Sequence, residues 1–201
     1  MKVAIIDYNV GNVASLGYAL NRAGYDAELT SDPKKIRNAH ITILPGVGAV
    51  RDALKSLENT GLIPTIQQRV KEGNLLAGIC LGMQMLYEVS YEDGHYPCLG
   101  FLPGEIKRFE TTLKVPHMGW NELVFRKAHP MADNLPEEPY VYFVHSYLKQ
   151  PALTEEVIAV ADYGQPVPAI VGKENVLGMQ FHPEKSGAVG EQLLKNLKNC
   201  L

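Results

Sequence analysis

The sequence has few cysteines and no strong excess of charge. Its three cysteines, Cys80, Cys98 and Cys200, are scattered and odd in number. They exclude a framework of disulfide bonds and indicate a reducing compartment, most simply the cytoplasm. A formal net charge of −3 gives no basic surface for nucleic acid, and no run of like charges indicates binding to a membrane surface.

Long apolar runs are missing as well. No apolar segment is long enough to span a bilayer. The first residues reach Asp7 too early for a signal peptide and instead have the pattern of a first β-strand. Internal repeats, low-complexity segments and linkers are not found. Hydrophobic residues make up 46% and charged residues 20% of the 201 residues, so we expect one domain spanning 1–201 with a substantial core.

The first half of the sequence alternates short apolar runs with helical patterns. The apolar runs are typical of buried strands and occupy residues 3–6, 27–30, 41–44 and 75–77. The apolar spacing of a helix follows Asn12, Val50 and Ile63. This alternation predicts an α/β fold with a mostly parallel central sheet that is flanked by helices on both faces.

The second half has a different pattern, in which short strands are separated by prolines and glycines. Such punctuation is typical of antiparallel hairpins. The predicted strands are residues 105–109, 122–125, 140–144, 157–162, 169–172 and 176–181. We therefore expect a smaller antiparallel β section after the parallel sheet, and a final amphipathic helix around Leu193 and Leu197.

One stretch carries a clear chemical signal, Gly78-Ile79-Cys80-Leu81-Gly82-Met83-Gln84. It follows a predicted buried strand and opens a segment in which Leu81, Met85, Leu86 and Val89 have helical spacing. A Cys between two glycines at such a joint has the form of a nucleophile elbow with Cys in place of Ser. A helix N-terminus stabilises a thiolate. The alternative is a buried Cys that acts as a small hydrophobe.

A cysteine nucleophile needs a base, and His182-Pro183-Glu184 offers one. Proline biases the preceding residue to an extended conformation, in which residues two apart project to the same side. His182 would then face Cys80, with Glu184 behind it to orient the ring. The alternatives are a strand-end histidine beside a surface glutamate, or a metal pair. No further His or Cys lies at ligand spacing, which argues against metal.

The loop Pro45-Gly46-Val47-Gly48 follows the predicted strand 41–44. Two glycines can free backbone N–H groups to face an anion, although the same residues also suit a plain turn. Because ligands bind at the carboxyl ends of parallel strands, this loop should lie on the same side as Cys80. The amides of Val47 and Leu81 would then form an oxyanion hole.

Together these residues resemble a known family. The Cys80 elbow, His182-Pro183-Glu184 and the Gly46-Val47-Gly48 loop are similar to those of the class I (triad) glutamine amidotransferases. Within that family, three segments resemble the glutaminase subunits of imidazole glycerol phosphate synthases. They are Pro116-His117-Met118-Gly119-Trp120-Asn121, Tyr142-Phe143-Val144-His145-Ser146-Tyr147 and Phe181-His182-Pro183-Glu184-Lys185-Ser186. The resemblance covers nearly the whole chain.

The resemblance implies a glutaminase reaction without cofactor or metal. Cys80 would attack the side-chain amide of L-glutamine to give a γ-glutamyl thioester. His182 would protonate the departing ammonia and then activate water, while Glu184 orients His182. The residues expected to hold the substrate are Gly46, Gly48, Gln84, Ser146 and Tyr147.

The resemblance also implies a partner, a (β/α)8-barrel cyclase subunit that forms a heterodimer with the chain. The cyclase would use the ammonia to make imidazole glycerol phosphate and an aminoimidazole carboxamide ribotide during histidine synthesis. Neither nucleic acid nor a membrane is an expected partner.

Ammonia must remain neutral in transit, so we expect a dry path and a docking surface with an apolar, aromatic centre. Lys185 would add a salt bridge to the partner, although a solvated lysine is the alternative. Trp120 also suits a core position, and Asn12 also suits a helix cap. The residues expected at this surface are Asn12, His117, Met118, Trp120, Asn121, Tyr142 and Lys185.

Three other functions remain possible from the residues. A different class I amidotransferase would share the triad and send ammonia elsewhere, but the segment 116–121 argues against it. A cysteine hydrolase or peptidase would be fully active alone and would not select glutamine. A non-catalytic regulatory subunit fits badly because Cys80, His182 and Glu184 are all intact.

Overall fold

The structure is a computed structural model that describes residues 1–9, 11 and 13–201. Asn12, which we expected to cap a helix or to face a partner, lies outside the described residues. The strands are β1 (Lys2–Ile6), β2 (Asp26–Thr30), β3 (Ile41–Leu44), β4 (Leu75–Ile79), β5 (Val89–Ser90), β6 (Tyr96–Pro97), β7 (Glu105–Arg108), β8 (His117–Glu122), β9 (Val124–Phe125), β10 (Tyr140–His145), β11 (Tyr147–Gln150), β12 (Val157–Asp162), β13 (Pro166–Lys173) and β14 (Val176–Met179).

Six α-helices accompany these strands in the described part of the chain. They are α1 (Ala14–Arg22), α2 (Pro33–Asn38), α3 (Val50–Thr60), α4 (Ile63–Lys71), α5 (Leu81–Gln84) and α6 (Gly187–Asn196). Short 3-10 helices occupy Pro130–Ala132, Pro183–Lys185 and Leu197–Cys200.

The main sheet has eight strands in the order β2-β1-β3-β4-β14-β13-β12-β9. Strands β2, β1, β3, β4 and β14 run parallel to one another, whereas the pairs β14–β13, β13–β12 and β12–β9 are antiparallel. A two-stranded sheet pairs β8 with β10, and a four-stranded sheet has the order β11-β7-β5-β6. The prediction of a mostly parallel central sheet with flanking helices is confirmed.

The two faces of the main sheet bury separate apolar clusters because successive strand residues point to opposite faces. In β1, Val3 and Ile5 pack in the cluster that contains Leu20 of α1 and Leu193 of α6. The intervening β1 residues pack in the cluster that contains residues of α2, α3 and α4. The helices therefore cover both faces of the sheet, as the alternating pattern predicts.

The predicted antiparallel section is present in the second half of the chain and partly extends the main sheet. The predicted strands 157–162 and 169–172 correspond to β12 and β13, which pair antiparallel, and 176–181 corresponds to β14. Strand β14 lies parallel to β4, with Gly178 opposite Gly78. This pairing places the residues after β14 beside the residues after β4, at the edge of the sheet where the parallel strands end.

The predicted helix after Cys80 is also shorter than expected. Helix α5 ends at Gln84, and Val89 lies in β5. The loop before β7 explains the early end, because its N–H groups take the carbonyls that a longer helix would need. Leu99 donates to the carbonyl of Met85 at 2.9 Å and Phe101 to that of Leu86 at 2.8 Å. Helical spacing alone therefore overestimated this helix.

Candidate active site

Cys80 lies at a sharp turn between β4 and α5. Its φ of 55° and ψ of −113° are outside the regions that L-residues normally occupy, and strain of this kind is often held at functional sites. The Cys80 N–H donates to the carbonyl of Met179 at 2.8 Å, which ties the turn to β14. The side chain is buried, with 7% of the residue exposed.

The two glycines around Cys80 are required by close backbone packing. A Cβ on Gly82 would lie 1.9 Å from the carbonyl oxygen of Leu44, and a Cβ on Gly78 would lie 2.6 Å from the carbonyl oxygen of Gly82. Gly46 has the same constraint, because its Cβ would lie 2.5 Å from the nitrogen of Gly82. The elbow and the glycine loop after β3 are therefore packed directly against each other.

His182 follows β14, the strand next to the one that carries Cys80. Its Nδ1 lies 2.8 Å from Oε1 of Glu184, so Nε2 is the nitrogen left for the thiol side. His182 is extended, but Pro183–Lys185 form a 3-10 helix. The predicted pairing with Glu184 is present, although a tight turn rather than an extended strand brings it about.

The neighbours of His182 control its charge. Burial lowers the pKa of His182, but its hydrogen bonds with Cys80 and Glu184 and the charges of both groups outweigh burial, so that the pKa rises to about 9. A proton on His182 is thus stabilised between the sulfur of Cys80 on one side and the carboxylate of Glu184 on the other. This is the arrangement that a cysteine nucleophile with a histidine general acid requires.

A cleft of about 410 Å³ opens over Cys80 and His182. Apart from these two, its lining residues come from the loop after β3, from α5, from the loop after β5, from the segment just before β8, and from β10, β11 and the residue between them. They are Val47, Gly48, Leu81, Gln84, Glu92, Pro116, Val144, His145, Ser146 and Tyr147. Four of the five residues expected to hold the substrate line this cleft. Gly46 does not, because it packs against the backbone of Leu81 and Gly82.

The expected oxyanion donors, Val47 and Leu81, both line the cleft. Leu81 is the first residue of α5, and the first N–H groups of a helix have no acceptor within the helix. Below the loop, the buried hydroxyl of Tyr8 donates to the carbonyl of Pro45 at 2.5 Å. This hydrogen bond holds Pro45, the first residue of the glycine loop, in place. Val47 is 41% exposed and lies on the outer part of the same loop.

Gln84 is buried and supports the wall of the cleft. Its Nε2 donates to the carbonyl of Tyr147 at 3.0 Å and to Oε1 of Gln180 at 2.9 Å. Nε2 of Gln180 lies 3.9 Å from the sulfur of Cys80. Both amide hydrogens of Gln84 are engaged within the chain, so only its oxygen remains for a substrate.

Several residues of the site were not found from the sequence: the lining residues Pro116, Val144 and His145, and also Glu92, Gln180 and Ser186. Glu92 lines the cleft and accepts from the N–H of Val50 at 2.7 Å. Gln180 contacts the sulfur of Cys80, and the hydroxyl of Ser186 donates to the carbonyl of His182 at 2.6 Å. Their proximity to His182 in sequence was a usable signal for Gln180 and Ser186, whereas nothing in the sequence marks Glu92.

The face expected to meet a partner is formed by β8 and β10. Met118 and Trp120 are 58% and 54% exposed, and the Trp120 ring packs edge-on against Tyr142 at 6.0 Å. Lys185 is also exposed. This exposure argues against Trp120 as a core residue and leaves an aromatic surface beside the cleft.

Two residues expected on that face point inward instead. His117 has no exposed surface, so its predicted contact with a partner is wrong. Its Nε2 lies 2.8 Å from Oδ1 of Asn121, and Nδ2 of Asn121 donates to the carbonyl of Asp162 at 2.8 Å. Alternate residues of a strand point to opposite faces, which places His117 and Asn121 on the side away from Trp120.

A profile of the family described as "Glutamine amidotransferase class-I" matches residues 4–199. The chain belongs to the class I glutamine amidotransferases. The resemblance noted from Cys80, His182 and Glu184 is thereby confirmed at the level of the family.

Curated relatives of this amidotransferase are named "Imidazole glycerol phosphate synthase subunit HisH". One, from Carboxydothermus hydrogenoformans, is 47% identical over 198 residues and covers 98% of each chain. Another, from Oceanobacillus iheyensis, is 46% identical over 199 residues and covers 99% of each chain. The chain is thus similar over its full length to these synthase subunits.

Solved structures of other proteins share the fold. A structure titled "Crystal structure of glutamine amidotransferase" has a TM-score of 0.77 at 22% identity, with 98% of this chain and 97% of that chain covered. PurLQS from Thermotoga maritima has a TM-score of 0.78 at 19% identity, with the same coverage. At these identities the likeness concerns the fold alone.

Two further properties concern the described residues of the amidotransferase. None of their helices combines the length and the apolar character that crossing a membrane requires. None of their His, Cys, Asp and Glu side chains gather in a group of three or more that would suit a metal ion.

Proposed function

We propose that the chain is the glutaminase subunit of imidazole glycerol phosphate synthase. It hydrolyses L-glutamine to glutamate and ammonia and supplies the ammonia to a separate cyclase subunit. The observation that carries this proposal is that the chain is 47% and 46% identical, over nearly its full length, to curated subunits of that synthase. The arrangement of Cys80, His182 and Glu184 in one cleft supports the hydrolytic step.

The proposed reaction begins with the thiolate of Cys80. Its sulfur attacks the side-chain carbonyl carbon of glutamine, a C–S bond forms, and the carbonyl electron pair moves to the oxygen. The N–H groups of Val47 and Leu81 are proposed to stabilise that oxyanion. His182 gives its proton to the nitrogen as the C–N bond breaks, which releases ammonia and leaves a thioester.

Water then completes the cycle. His182, now neutral, takes a proton from water as the oxygen attacks the thioester carbon. Collapse of the second tetrahedral intermediate breaks the C–S bond and releases glutamate, and the thiolate and the imidazolium are restored. Glu184, at 2.8 Å from Nδ1, holds the ring so that Nε2 performs both transfers.

The substrate's α-groups are proposed to lie at the outer part of the cleft. Ser146 and Tyr147 line one wall and Gly48 the other, and their backbone groups suit an α-carboxylate. Glu92 is the acidic side chain of the lining, so it suits the α-ammonium group of glutamine. The oxygen of Gln84 is available for a further polar contact.

The partner is proposed to be a (β/α)8-barrel cyclase that docks on the face formed by Met118, Trp120 and Tyr142, with Lys185 at its edge. Val144 belongs to the same strand as Tyr142 and lines the cleft, so this face adjoins the site where ammonia forms. A partner seated there would exclude water from the path of neutral ammonia.

The decisive experiment replaces Cys80 with Ala in the complex with the cyclase. The variant should lose glutamine-dependent synthesis of imidazole glycerol phosphate and retain synthesis driven by added ammonium salts. The substitution Cys98→Ala is the matched control, because this half-buried thiol lies outside the cleft. Loss of both reactions in Cys80→Ala, or of neither, would contradict the assigned role.

A further inference from the structure

A buried pair of histidines extends inward from the lining of the cleft, where one of the two lies, and the proposed reaction does not use it. His117 in β8 and His145 in β10 are directly opposite each other in the register of the two strands. Their rings meet at 3.0 Å between Nδ1 of His117 and Nε2 of His145. Both residues are buried, with 0% and 6% exposed.

The outer nitrogens of both rings face carbonyl oxygens. Nδ1 of His145 lies 2.8 Å from the carbonyl oxygen of Tyr147, and Nε2 of His117 lies 2.8 Å from Oδ1 of Asn121. The Asn121 amide is fixed in this orientation because its Nδ2 donates to the carbonyl of Asp162. Carbonyl oxygens only accept, so both outer nitrogens carry hydrogen.

Two neutral imidazoles hold two ring hydrogens in total, one each. If both hydrogens lie on the outer nitrogens, two lone pairs face each other across 3.0 Å. Such a contact is repulsive. A third hydrogen between the rings turns it into a hydrogen bond and gives the pair one positive charge. The geometry therefore requires three hydrogens on the four nitrogens.

The surroundings indicate which ring is charged. His117 stacks between Tyr163, with ring centroids 4.1 Å apart, and Phe143, at 4.7 Å. Two aromatic faces favour a cation between them. Burial, together with the charges of His117 and His182, lowers the pKa of His145 to about 3 even though the hydrogen bond to Tyr147 raises it. His145 is therefore neutral and accepts at Nε2.

Burial lowers the pKa of His117 below its ordinary value of 6.5, and the hydrogen bond to Asn121 offsets this only in part, so a proton on His117 must be held by the geometry around the ring. The other groups near the pair add no carboxylate. Asp162 presents its carbonyl to Asn121, the hydroxyl of Tyr163 donates to the carbonyl of Lys114, and His182 is the titratable group on the cleft side. The two acceptors and the two aromatic rings are thus what holds the proton on His117.

The pair connects to the thiol through a continuous line of hydrogen bonds. His145 donates to the carbonyl of Tyr147, and the same carbonyl accepts from Gln84. Gln84 also donates to Gln180, which contacts the sulfur of Cys80. We propose that His117 is a buried imidazolium that positions this line, and through it the cleft wall at Tyr147 and the side chains that contact Cys80.

The direct test counts hydrogens on the ring nitrogens of full-length protein labelled with 15N-histidine. Protonated and unprotonated ring nitrogens give separate 15N signals. At pH 7 we expect three protonated nitrogens in the pair, whereas two would overturn the proposal. Asn121→Leu removes the acceptor, so His117 becomes neutral with its hydrogen on Nδ1 and the count falls to two. Asn121→Asp keeps an acceptor, and the count stays at three.

The kinetic test rests on the proposed glutaminase function and uses the complex with the cyclase. His117→Phe retains the stacking but cannot donate to His145. We expect kcat/KM for glutamine to fall on the order of tenfold, as for a lost buried hydrogen bond, with ammonia-driven synthesis unchanged. His117→Gln has an amide donor and should recover most of the loss. His95→Phe, at an exposed histidine, is the control.

The outcomes separate the two proposals. Unchanged glutamine hydrolysis in His117→Phe would overturn the positioning role, and so would equal losses of the glutamine-driven and ammonia-driven reactions. If the wild-type protein does not hydrolyse glutamine in any complex, the proposed function fails. The nitrogen count would still decide whether His117 is an imidazolium.

Discussion

At the scale of single residues, the site depends on positions where the backbone leaves no room for a side chain. The nitrogen of Gly82, the carbonyl of Leu44 and the carbonyl of Gly82 occupy the space that a Cβ on Gly46, Gly82 and Gly78, respectively, would need. These contacts hold the loop after β3 against the turn that carries Cys80. The glycines are thus a consequence of bringing two strand ends together.

Gly82→Ala should destabilise the fold. The added Cβ would lie 1.9 Å from the Leu44 carbonyl oxygen, and backbone on both sides cannot move aside. We expect a loss of about 3 kcal/mol or more in the free energy of unfolding, measured by chemical denaturation. Gly17→Ala in α1 is the control, because its Cβ would meet only Ile5 at 3.7 Å and should stabilise the helix by about 0.5–1 kcal/mol. Equal effects of the two substitutions would contradict this account.

Glu184→Gln tests the electrostatics of the triad. Glu184 favours the protonated ring, so its charge helps to keep the pKa of His182 at about 9. Without that charge the pKa falls, and the basic limb of the pH profile of kcat/KM should move to lower pH by about one unit or more. The rate at the optimum should fall by at least about a hundredfold, because the ring loses its orienting carboxylate. A basic limb that stays in place would rule out Glu184 as the stabilising charge.

Much of the site could be predicted at this scale because its signals are local. The glycines around Cys80 and the two-residue spacing of His182 and Glu184 reflect constraints within a few residues of each other. The inward position of His117 could not be predicted in this way. It depends on the register of β8 against β10, which brings His145 opposite, and on the aromatic rings of distant residues.

At the scale of elements, the exposed side of β8 and β10 has no partner strand or helix within the described chain. Met118, Trp120 and Tyr142 lie on this side, and the large side chain of Trp120 is itself 54% exposed. A large exposed aromatic group beside a site is typical of a binding surface. Strand β8 itself was not predicted, because His117–Glu122 mixes polar and aromatic residues and lacks a run of apolar β-formers.

Trp120→Ala should weaken association with the cyclase. Large aromatic residues at the centre of an interface commonly contribute about 2 kcal/mol or more, so the dissociation constant should rise on the order of thirtyfold. Titration calorimetry with the purified cyclase measures it. The control is Leu153→Ala, which removes a side chain of similar exposure, 53%, from a turn that does not line the cleft. A dissociation constant that changes equally in both variants would exclude the β8–β10 face.

At the scale of the whole molecule, the topology brings β10, which belongs to the proposed docking face, next to His182. The N–H of His182 donates to the carbonyl of Tyr142 at 3.0 Å, and the N–H of Tyr142 donates to the hydroxyl of Ser186 at 3.0 Å. The predicted parallel order placed the ends of β3 and β4 side by side. It could not place β10, because the pairing of the second half depends on contacts far apart in the sequence.

Through these two hydrogen bonds, a partner that docks on β10 can change the position of His182. We therefore expect glutamine hydrolysis to be slow in the isolated chain and faster when the cyclase and its nucleotide are present. A partner that moves β10 also moves the backbone that holds His182.

Ser186→Ala removes the hydrogen bond from the N–H of Tyr142 to the Ser186 hydroxyl. The ratio of the glutaminase rate with cyclase and nucleotide to the rate without them should then fall on the order of fivefold. Ser31→Ala, at an exposed serine, should leave the ratio as it is. Steady-state glutaminase assays with and without both additions measure the ratio, and a ratio near one in the wild-type protein would refute the coupling. Coupling of this kind fits the chemistry, since ammonia released before the cyclase holds its substrate would be lost to solvent.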